Sequence, residues 1–320
     1  MMKQIIFLGL LTFGPVFGLA NVGASEIMFE GYYKISLENK PIGYVIQRYE
    51  FDPAKKQFIS TSFQRAKLGG KIVQESLKAF ADDKFRPLSY QYTAQVGDEI
   101  KVIDGTFKGE IMKLMITDGK KTARNETYKN PKGTFLSSFL VYIMMQKKLA
   151  LNEAFKYSAI AEEDGSSTYG TSWLETKEDK GGYVLFRVLN SFKGEKYASN
   201  LAVVPDPKSP DHFIKGEVLG TISPVKNVST ELMASPAQAT EGQMVPNKVL
   251  ITLFGNMPTG KLNMVSHPLE TPATAAAKPL LPASNAPATL KTPTPPAPDE
   301  ASKTLPRMIP SPVPAHDPGP

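Results

Sequence analysis

A glycine-rich stretch near residue 260 is the first place where the sequence suggests chemistry. Residues 255–262 read GNMPTGKL, which has the glycine and lysine spacing of a phosphate-binding loop, and an apolar run precedes them. Such a loop ends in a serine or threonine that holds magnesium, but Leu262 occupies that position. Pro268 then interrupts the helix that should follow. The sequence therefore argues against a nucleotide-phosphate site here.

Evidence for a hydrolase is equally thin. Residues 170–174, GTSWL, begin like the nucleophile elbow of a serine hydrolase but lack its closing glycine. His212, next to Asp211, is the one candidate base, because His267 and His316 lie at or in a proline-rich tail. A solvated histidine at the start of a strand is the simpler interpretation of His212. We therefore predict no catalytic residue and a protein that is not an enzyme.

Metal and cofactor chemistry is also not predicted. The chain has no cysteine and three dispersed histidines, which disfavours a transition-metal site. The acidic cluster at 162–164 lacks the alternating ligands of a calcium loop, so a solvated hairpin turn is the preferred interpretation. A carboxylate pair of the glycosidase type stays open, because the separation of such a pair is spatial.

The aromatic and methionine content points instead to binding. Methionine adapts its shape to irregular apolar ligands, and aromatic side chains provide large apolar surfaces. An apolar groove between a curved sheet and a helix would hold a lipid or peptide; the alternative is an ordinary hydrophobic core. The candidate groove residues are Tyr33, Tyr44, Met112, Phe139, Met144 and Trp173.

The elements that would position these residues are mostly β-strands. Residues 31–51 alternate apolar and polar side chains on both sides of turn chemistry at 38–41, which predicts a β-hairpin. Similar runs predict about eight strands up to residue 128, then a helix from Thr134 to about Leu149, then more strands to residue 222. For 134–149 a buried strand is the alternative. The pattern predicts a mainly β fold, an antiparallel curved sheet or half-barrel with one packed helix.

The predicted organisation has four parts. Residues 1–24 resemble a cleaved export signal, with Ser25 or Asn21 as the mature N-terminus. Residues 25–222 form the β-rich domain; two domains split near residue 131 are the alternative. Residues 223–267 are predicted to be a linker that contains one apolar segment, 248–254, which would dock as an edge strand or contact a partner. Residues 268–320 include fifteen prolines and are predicted to be disordered.

The length of the predicted export signal also bears on whether the protein is anchored in a membrane. The apolar run of the signal is shorter than the roughly 20 residues that a spanning helix needs, so we expect no transmembrane anchor after cleavage; an uncleaved anchor is the alternative.

The formal net charge of +6 comes from lysines scattered along the chain rather than from one concentrated patch. We therefore expect no nucleic-acid binding, and a solvated surface in preference to weak attraction to an anionic envelope surface.

The order of signal, long antiparallel sheet, helix and further strands resembles secreted bacterial β-sheet proteins of the DUF3108-like kind. The stretches that carry the resemblance are GYYKISLENKPIGYVIQRYEF at 31–51 and GTFKGEIMKLMITDGKK at 105–121. In outline these proteins are similar to the half-barrel of the lipoprotein-localisation factor. The resemblance covers about residues 28–222. It implies a periplasmic or surface protein with a curved sheet and an apolar groove, and no catalytic residue.

Together these features predict a non-enzymatic periplasmic or cell-surface protein of a bacterium that holds an apolar small molecule, lipid or peptide between sheet and helix. The alternative is a structural adaptor of the envelope that acts through its sheet edge and its proline-rich tail. The tail would then bind an envelope protein.

Overall fold

The computed structural model describes residues 25–260, 265 and 266, apart from 120–121, 148–149, 181–182, 207–208 and 224–226. The predicted export signal, 1–24, and the predicted disordered tail, 268–320, lie outside the described residues.

The strands form one large sheet that is curved but not closed. All pairings between its strands are antiparallel except the one between β9 and β10. The predicted fold class, mainly β with a packed helix, is confirmed. The strands are β1 Glu26–Leu37, β2 Lys40–Asp52, β3 Gln57–Leu68, β4 Lys71–Asp82, β5 Pro87–Val96, β6 Glu99–Lys108, β7 Ile111–Asp118, β8 Arg124–Lys129, β9 Phe135–Leu136, β10 Phe155–Ala161, β11 Ser166–Asp179, β12 Val184–Phe192, β13 Glu195–Asp206, β14 Ser209–Ser223, β15 Val228–Leu232 and β16 Val265–Ser266.

The sheet is built from two meanders that meet in its middle. From β1 the chain runs outward strand by strand to the edge strand β8, then crosses to the other edge at β9 and returns through β10 to β14. Strand β15 lies between β14 and β1, with Gly220 opposite Glu231 and Tyr33 opposite Leu232. Both runs of strands therefore belong to the same sheet, and β16 pairs with β14 beside this path.

The first hairpin shows why local sequence specifies most of these strands. Leu37 pairs with Lys40, so Glu38 and Asn39 form a two-residue turn, with φ of 50° and 64°. Asparagine tolerates positive φ better than most residues, and paired positive φ values give the turn whose twist matches antiparallel strands. The turn therefore fixes the register of β1 and β2.

The helix predicted to start at Thr134 is shorter and begins later. The Thr134 hydroxyl donates to the Pro131 carbonyl, with 2.7 Å between the oxygens, and caps no helix. Phe135–Leu136 instead forms β9, because both residues are buried and pair with β10. A 3₁₀ turn at Ser137–Phe139 follows, and helix α1 spans only Leu140–Gln146.

The described residues of the segment 223–267, which was predicted to be a linker, are part of the fold. It supplies β15, helix α2 (Pro236–Ala239) and helix α3 (Asn247–Phe254). The apolar run at 248–254 is therefore a helix, not an edge strand. Leu250 and Phe254, four residues apart, are the buried residues of α3, and Gly255 ends the helix in the left-handed region with φ of 80°.

The two faces of the sheet carry different clusters. The inner face carries the largest hydrophobic cluster, which combines side chains from β1 to β7, α1 and β9 to β10. The outer face carries a smaller cluster in which α2 and α3 cover Tyr32, Tyr44, Ile46 and Phe63. The sheet curls around the inner cluster so far that a Cβ on Gly165, in the β10–β11 turn, would lie 2.3 Å from Leu114 Cδ1 of β7.

Candidate functional site

Helix α1 lies inside the curved sheet and is the centre of the candidate site. Its side chains from Leu140 to Met145 are buried or half-buried, although the helix has only seven residues. No side chain caps its N-terminus. A helix of this length is marginal on its own, so packing against the sheet must hold it in place.

The helix contacts both halves of the sheet. Met145 belongs to the inner cluster, whereas Met144 packs with side chains of β11 to β13 in an adjoining cluster. Strand β14 passes so close to α1 that a Cβ on Gly216 would lie 3.0 Å from Met145 Sδ. Two unbranched, adaptable methionines therefore take part in the contact between the helix and the second meander, together with Leu140 and Val141.

Aromatic rings surround Tyr142 of α1. The Tyr49 ring packs edge-on against it, with 4.6 Å between ring centroids. The rings of Phe58 and Phe85 lie 6.0 and 6.2 Å away. The Tyr49 hydroxyl donates to the Ser138 carbonyl at 2.8 Å, which ties the 3₁₀ turn before α1 to strand β2.

Four tyrosines of the inner cluster, Tyr90, Tyr92, Tyr142 and Tyr157, have buried hydroxyls without a hydrogen-bond partner among the described residues. Glu75 lies near the Tyr92 hydroxyl and Ser172 near that of Tyr157. No such hydrogen-bonding side chain of the described residues lies beside the hydroxyls of Tyr90 and Tyr142.

Tyr90 and Tyr142 are 3% and 1% exposed, and neither hydroxyl has a hydrogen-bond partner within the described part of the chain. Burial raises the pKa of Tyr142 well above its usual range, with a smaller contribution from Tyr49. Burial also raises the pKa of Tyr90, helped by Glu162. Both phenols therefore remain protonated and can donate a hydrogen bond.

The acidic turn at 162–164 differs from the predicted solvated hairpin turn at Glu162. Glu162 is buried and accepts hydrogen bonds from the Ser137 hydroxyl at 2.5 Å and the Ser138 N–H at 3.0 Å. Burial raises its pKa, and these hydrogen bonds lower it by less. Glu163 and Asp164 both pair with Lys193. Among the described residues no group of three or more ligands could hold a metal ion.

Glu217 of β14 is a buried carboxyl group whose pKa is shifted by burial alone. It is 2% exposed, and its Oε2 has no hydrogen-bond partner among the described residues. Burial raises the pKa of Glu217 to about 8. Glu217 in turn helps to raise the pKa of the buried Tyr33 phenol, for which burial and Tyr49 are the larger causes.

The structure brings together three of the six predicted groove residues. Tyr33, Met112 and Phe139 belong to the inner cluster, and all are buried. Met144 is buried in the adjoining cluster. Tyr44 lies on the outer face, under α3, because it is one residue away from the inward-facing Val45. Half-buried Trp173 belongs to none of the clusters that the described residues form.

The loop that resembles a phosphate-binding loop already holds an anion of its own chain. The N–H groups of Thr259 and Gly260 donate to Glu30 Oε1, at 2.5 and 2.6 Å. The Glu30 carboxylate also pairs with Arg48, whose guanidinium donates to the Phe254 carbonyl at 2.8 Å. These bonds, which are buried or partly buried, form the outer seam, the contact that fastens residues 254–260 to β1 and β2. Lys261 and Leu262 lie outside the described residues.

The hydrolase-like stretch is structural as well. Ser172 is fully buried in β11, and its hydroxyl donates to Asn190 Oδ1 at 2.5 Å. His212 lies in β14, but its side chain is outside the described part of the structure, as are His267 and His316.

Sequence reasoning missed Tyr90, Tyr142 and Glu217 as site residues. Tyr90 alternates with Tyr92 on one face of β5, so its burial could be predicted, but its missing partner could not. Tyr142 lies within the predicted helix, but nothing in the sequence around it indicates an unpaired hydroxyl. Glu217 gives no local signal, because its burial depends on strands far away in the sequence.

Comparisons with known proteins add little. No protein-family model and no curated protein sequence matches the chain significantly. A crystal structure of a DUF1089 family protein from Pseudomonas aeruginosa aligns with 63% of this chain and 95% of its own, at 11% sequence identity and a TM-score of 0.29. A structural similarity at that level does not show a shared fold or a shared function. The described residues contain no helix that could span a membrane.

Proposed function

We propose that the protein is a non-enzymatic binding protein for an amphiphile, a ligand with an apolar body and a hydrogen-bonding head. The observation that carries the proposal is that the buried hydroxyls of Tyr90 and Tyr142 on the inner face have no hydrogen-bond partner among the described residues. Leaving a buried polar group unpaired costs about 1–3 kcal/mol. A ligand head that accepts from one of these hydroxyls would recover part of that free energy.

The apolar body of the ligand would replace the last turn of helix α1, after Tyr142, whose ring would stay in place beside those of Tyr49 and Phe58. The helix is short, its N-terminus has no side-chain cap, and it depends on packing, so it is the element of the inner cluster that a ligand could displace at least cost. Tyr33, Met112 and Phe139 would then line the exposed inner face. Tyr49 and Glu162 hold the 3₁₀ turn before the helix and would limit the movement to α1 itself.

Export is part of the proposal. Residues 1–24 would be removed as a signal, and the mature protein would work in the periplasm or at the cell surface. An amphiphile such as a lipid is a common ligand there, and residues 268–320 would reach an envelope partner. N-terminal sequencing of the exported protein tests this part: a start near Ser25 or Asn21 supports it, and a start at Met1 or Met2 contradicts it.

Titration with cis-parinaric acid, a fluorescent fatty acid, tests the binding site. We expect saturable binding to the full chain and at least about fivefold weaker binding to Tyr142→Phe, because one hydrogen bond contributes about 1 kcal/mol. Tyr44→Phe is the matched control, since Tyr44 is buried on the outer face and should leave binding unchanged. Absence of saturable binding to the wild type, or equal losses in both variants, would contradict the proposal.

A further inference from the structure

The outer face of the sheet near its β8 edge is both apolar and basic. Along β7, Met112, Leu114 and Ile116 are buried on the inner face. The residues between them face outward, and there Ile111 and Met115 are 37% and 45% exposed. A solvated sheet face normally carries polar side chains at such positions, so two large apolar residues need an explanation.

Lysines frame these apolar residues across three strands. Ile111 is paired with Lys108 of β6 on one side and with Lys129 of β8 on the other. Lys113 lies between Ile111 and Met115 on β7, and all three lysines are exposed. We call these five residues the edge patch: Lys108, Ile111, Lys113, Met115 and Lys129.

Nearby acidic groups only partly offset this charge. The described residues of 108–132 include five basic and three acidic residues, a net charge of +2. Glu110 contacts Lys129 at 4.0 Å, and Asp104, opposite Met115, accepts a hydrogen bond from Gln91. Glu126 faces the inner side, where it pairs with Arg124.

We propose that the edge patch docks on an anionic lipid surface. Lysine side chains reach toward lipid phosphates while their methylene stems lie on apolar groups, and each adds about 1 kcal/mol of attraction. Ile111 and Met115 would enter the interfacial region between them. The proposal goes beyond the amphiphile site, because the patch lies on the opposite face of the sheet.

A second copy of the chain is the less favourable occupant. If two β8 edges paired antiparallel in full register, Arg124 of one copy would face Lys129 of the other. Like charges directly opposite each other destabilise strand pairing. Charge complementarity therefore favours an anionic surface.

Vesicle co-sedimentation of the full chain tests the proposal. Vesicles of phosphatidylcholine mixed with phosphatidylglycerol should bind the protein, vesicles of phosphatidylcholine alone should bind it much more weakly, and salt should reduce the difference. Lys113→Glu should weaken binding at least about fivefold, because about 1 kcal/mol is lost with the lysine charge alone. Met115→Ser should weaken it severalfold.

Matched controls lie on α3. Lys248→Glu makes the same charge change, and Ile251→Ser removes an apolar side chain that is 48% exposed. Both should leave vesicle binding unchanged, as should Tyr142→Phe, which affects only the amphiphile site. Thermal melts confirm that the exposed substitutions leave the fold intact. Equal binding to both vesicle types, or equal losses in the patch and control variants, would overturn the proposal. So would a dimer in sedimentation that Met115→Ser abolishes.

Discussion

The two faces of the sheet bury tyrosines to the same extent and treat their hydroxyls differently. On the outer face, Tyr32 donates to the Pro258 carbonyl at 3.0 Å and Tyr44 donates to the Met244 carbonyl at 3.2 Å. On the inner face, Tyr90 and Tyr142 have no partner among the described residues. All four side chains are at most 3% exposed. Burial alone therefore does not separate these four tyrosines; the hydrogen bonding of their hydroxyls does.

This difference in hydrogen bonding indicates that residues 254–260 are bound permanently to the outer face. The inner face, in contrast, keeps polar groups whose hydrogen bonding is incomplete. In the outer seam, Glu30 accepts from Arg48, Thr259 and Gly260, so both buried charges are satisfied. Such a contact is expensive to open. The inner face instead keeps polar atoms without partners around a short helix, which suits a surface that a ligand completes.

The largest expected effect comes from breaking the outer seam. Arg48→Ala leaves the Glu30 carboxylate buried beside two N–H groups but without its cation, and should lower the free energy of unfolding by about 3–5 kcal/mol. Arg86→Ala is the control, because that side chain is 72% exposed in its ion pair with Asp82. It should cost less than about 1 kcal/mol. Similar urea midpoints for the two variants would show that the seam is not a major source of stability.

A smaller loss of stability is expected when the pH is raised, and Glu217 is its cause. Unlike Glu30, Glu217 has a carboxylate oxygen without a hydrogen-bond partner among the described residues. Because the folded-state pKa is raised to about 8, folding favours the protonated form. Its stabilising contribution is complete below the unfolded-state pKa of about 4.3 and is lost as pH rises toward 8. The free energy of unfolding of the wild type should therefore fall by about 2 kcal/mol between pH 5 and pH 7, relative to that of Glu217→Gln. Urea unfolding of both proteins at the two pH values measures this, and parallel curves would contradict it.

The smallest expected effect on stability comes from removing one tyrosine hydroxyl on each face of the sheet. Tyr32→Phe leaves the Pro258 carbonyl without its donor and should cost about 1 kcal/mol of unfolding free energy. Tyr142→Phe removes an unpaired hydroxyl and should leave the ligand-free protein equally stable or more stable by about 1 kcal/mol. Equal destabilisation in chemical unfolding would mean that the Tyr142 hydroxyl has a partner and that the two faces do not differ.

Sequence could predict the strands because their signals are local. The alternation around Glu38 and Asn39 specifies a hairpin without reference to the rest of the chain. It could not predict where α1 begins, because Phe135 and Leu136 pair with β10, which comes later in the chain. The run at 248–254 fits a strand or a helix, and only its docking over Tyr44 decides the outcome.

The candidate site was less predictable for the same reason. Tyr33, Met112 and Phe139 could be identified as apolar candidates and do share the inner cluster. Tyr44 and Trp173 could not be assigned to a face from composition. The outer seam joins Arg48 to Phe254, 206 residues apart, and no local pattern encodes such a contact.

Native mass spectrometry of the full chain after mild purification tests the central claim most directly. The account predicts that an amphiphile co-purifies with the wild type, is lost from the double variant Tyr90→Phe with Tyr142→Phe, and is retained by Tyr32→Phe. Matched thermal melts of these variants would show that loss of ligand is not loss of fold. A wild-type protein that carries no amphiphile and takes up none from added fatty acid, or a double variant that retains the ligand fully, would contradict the account.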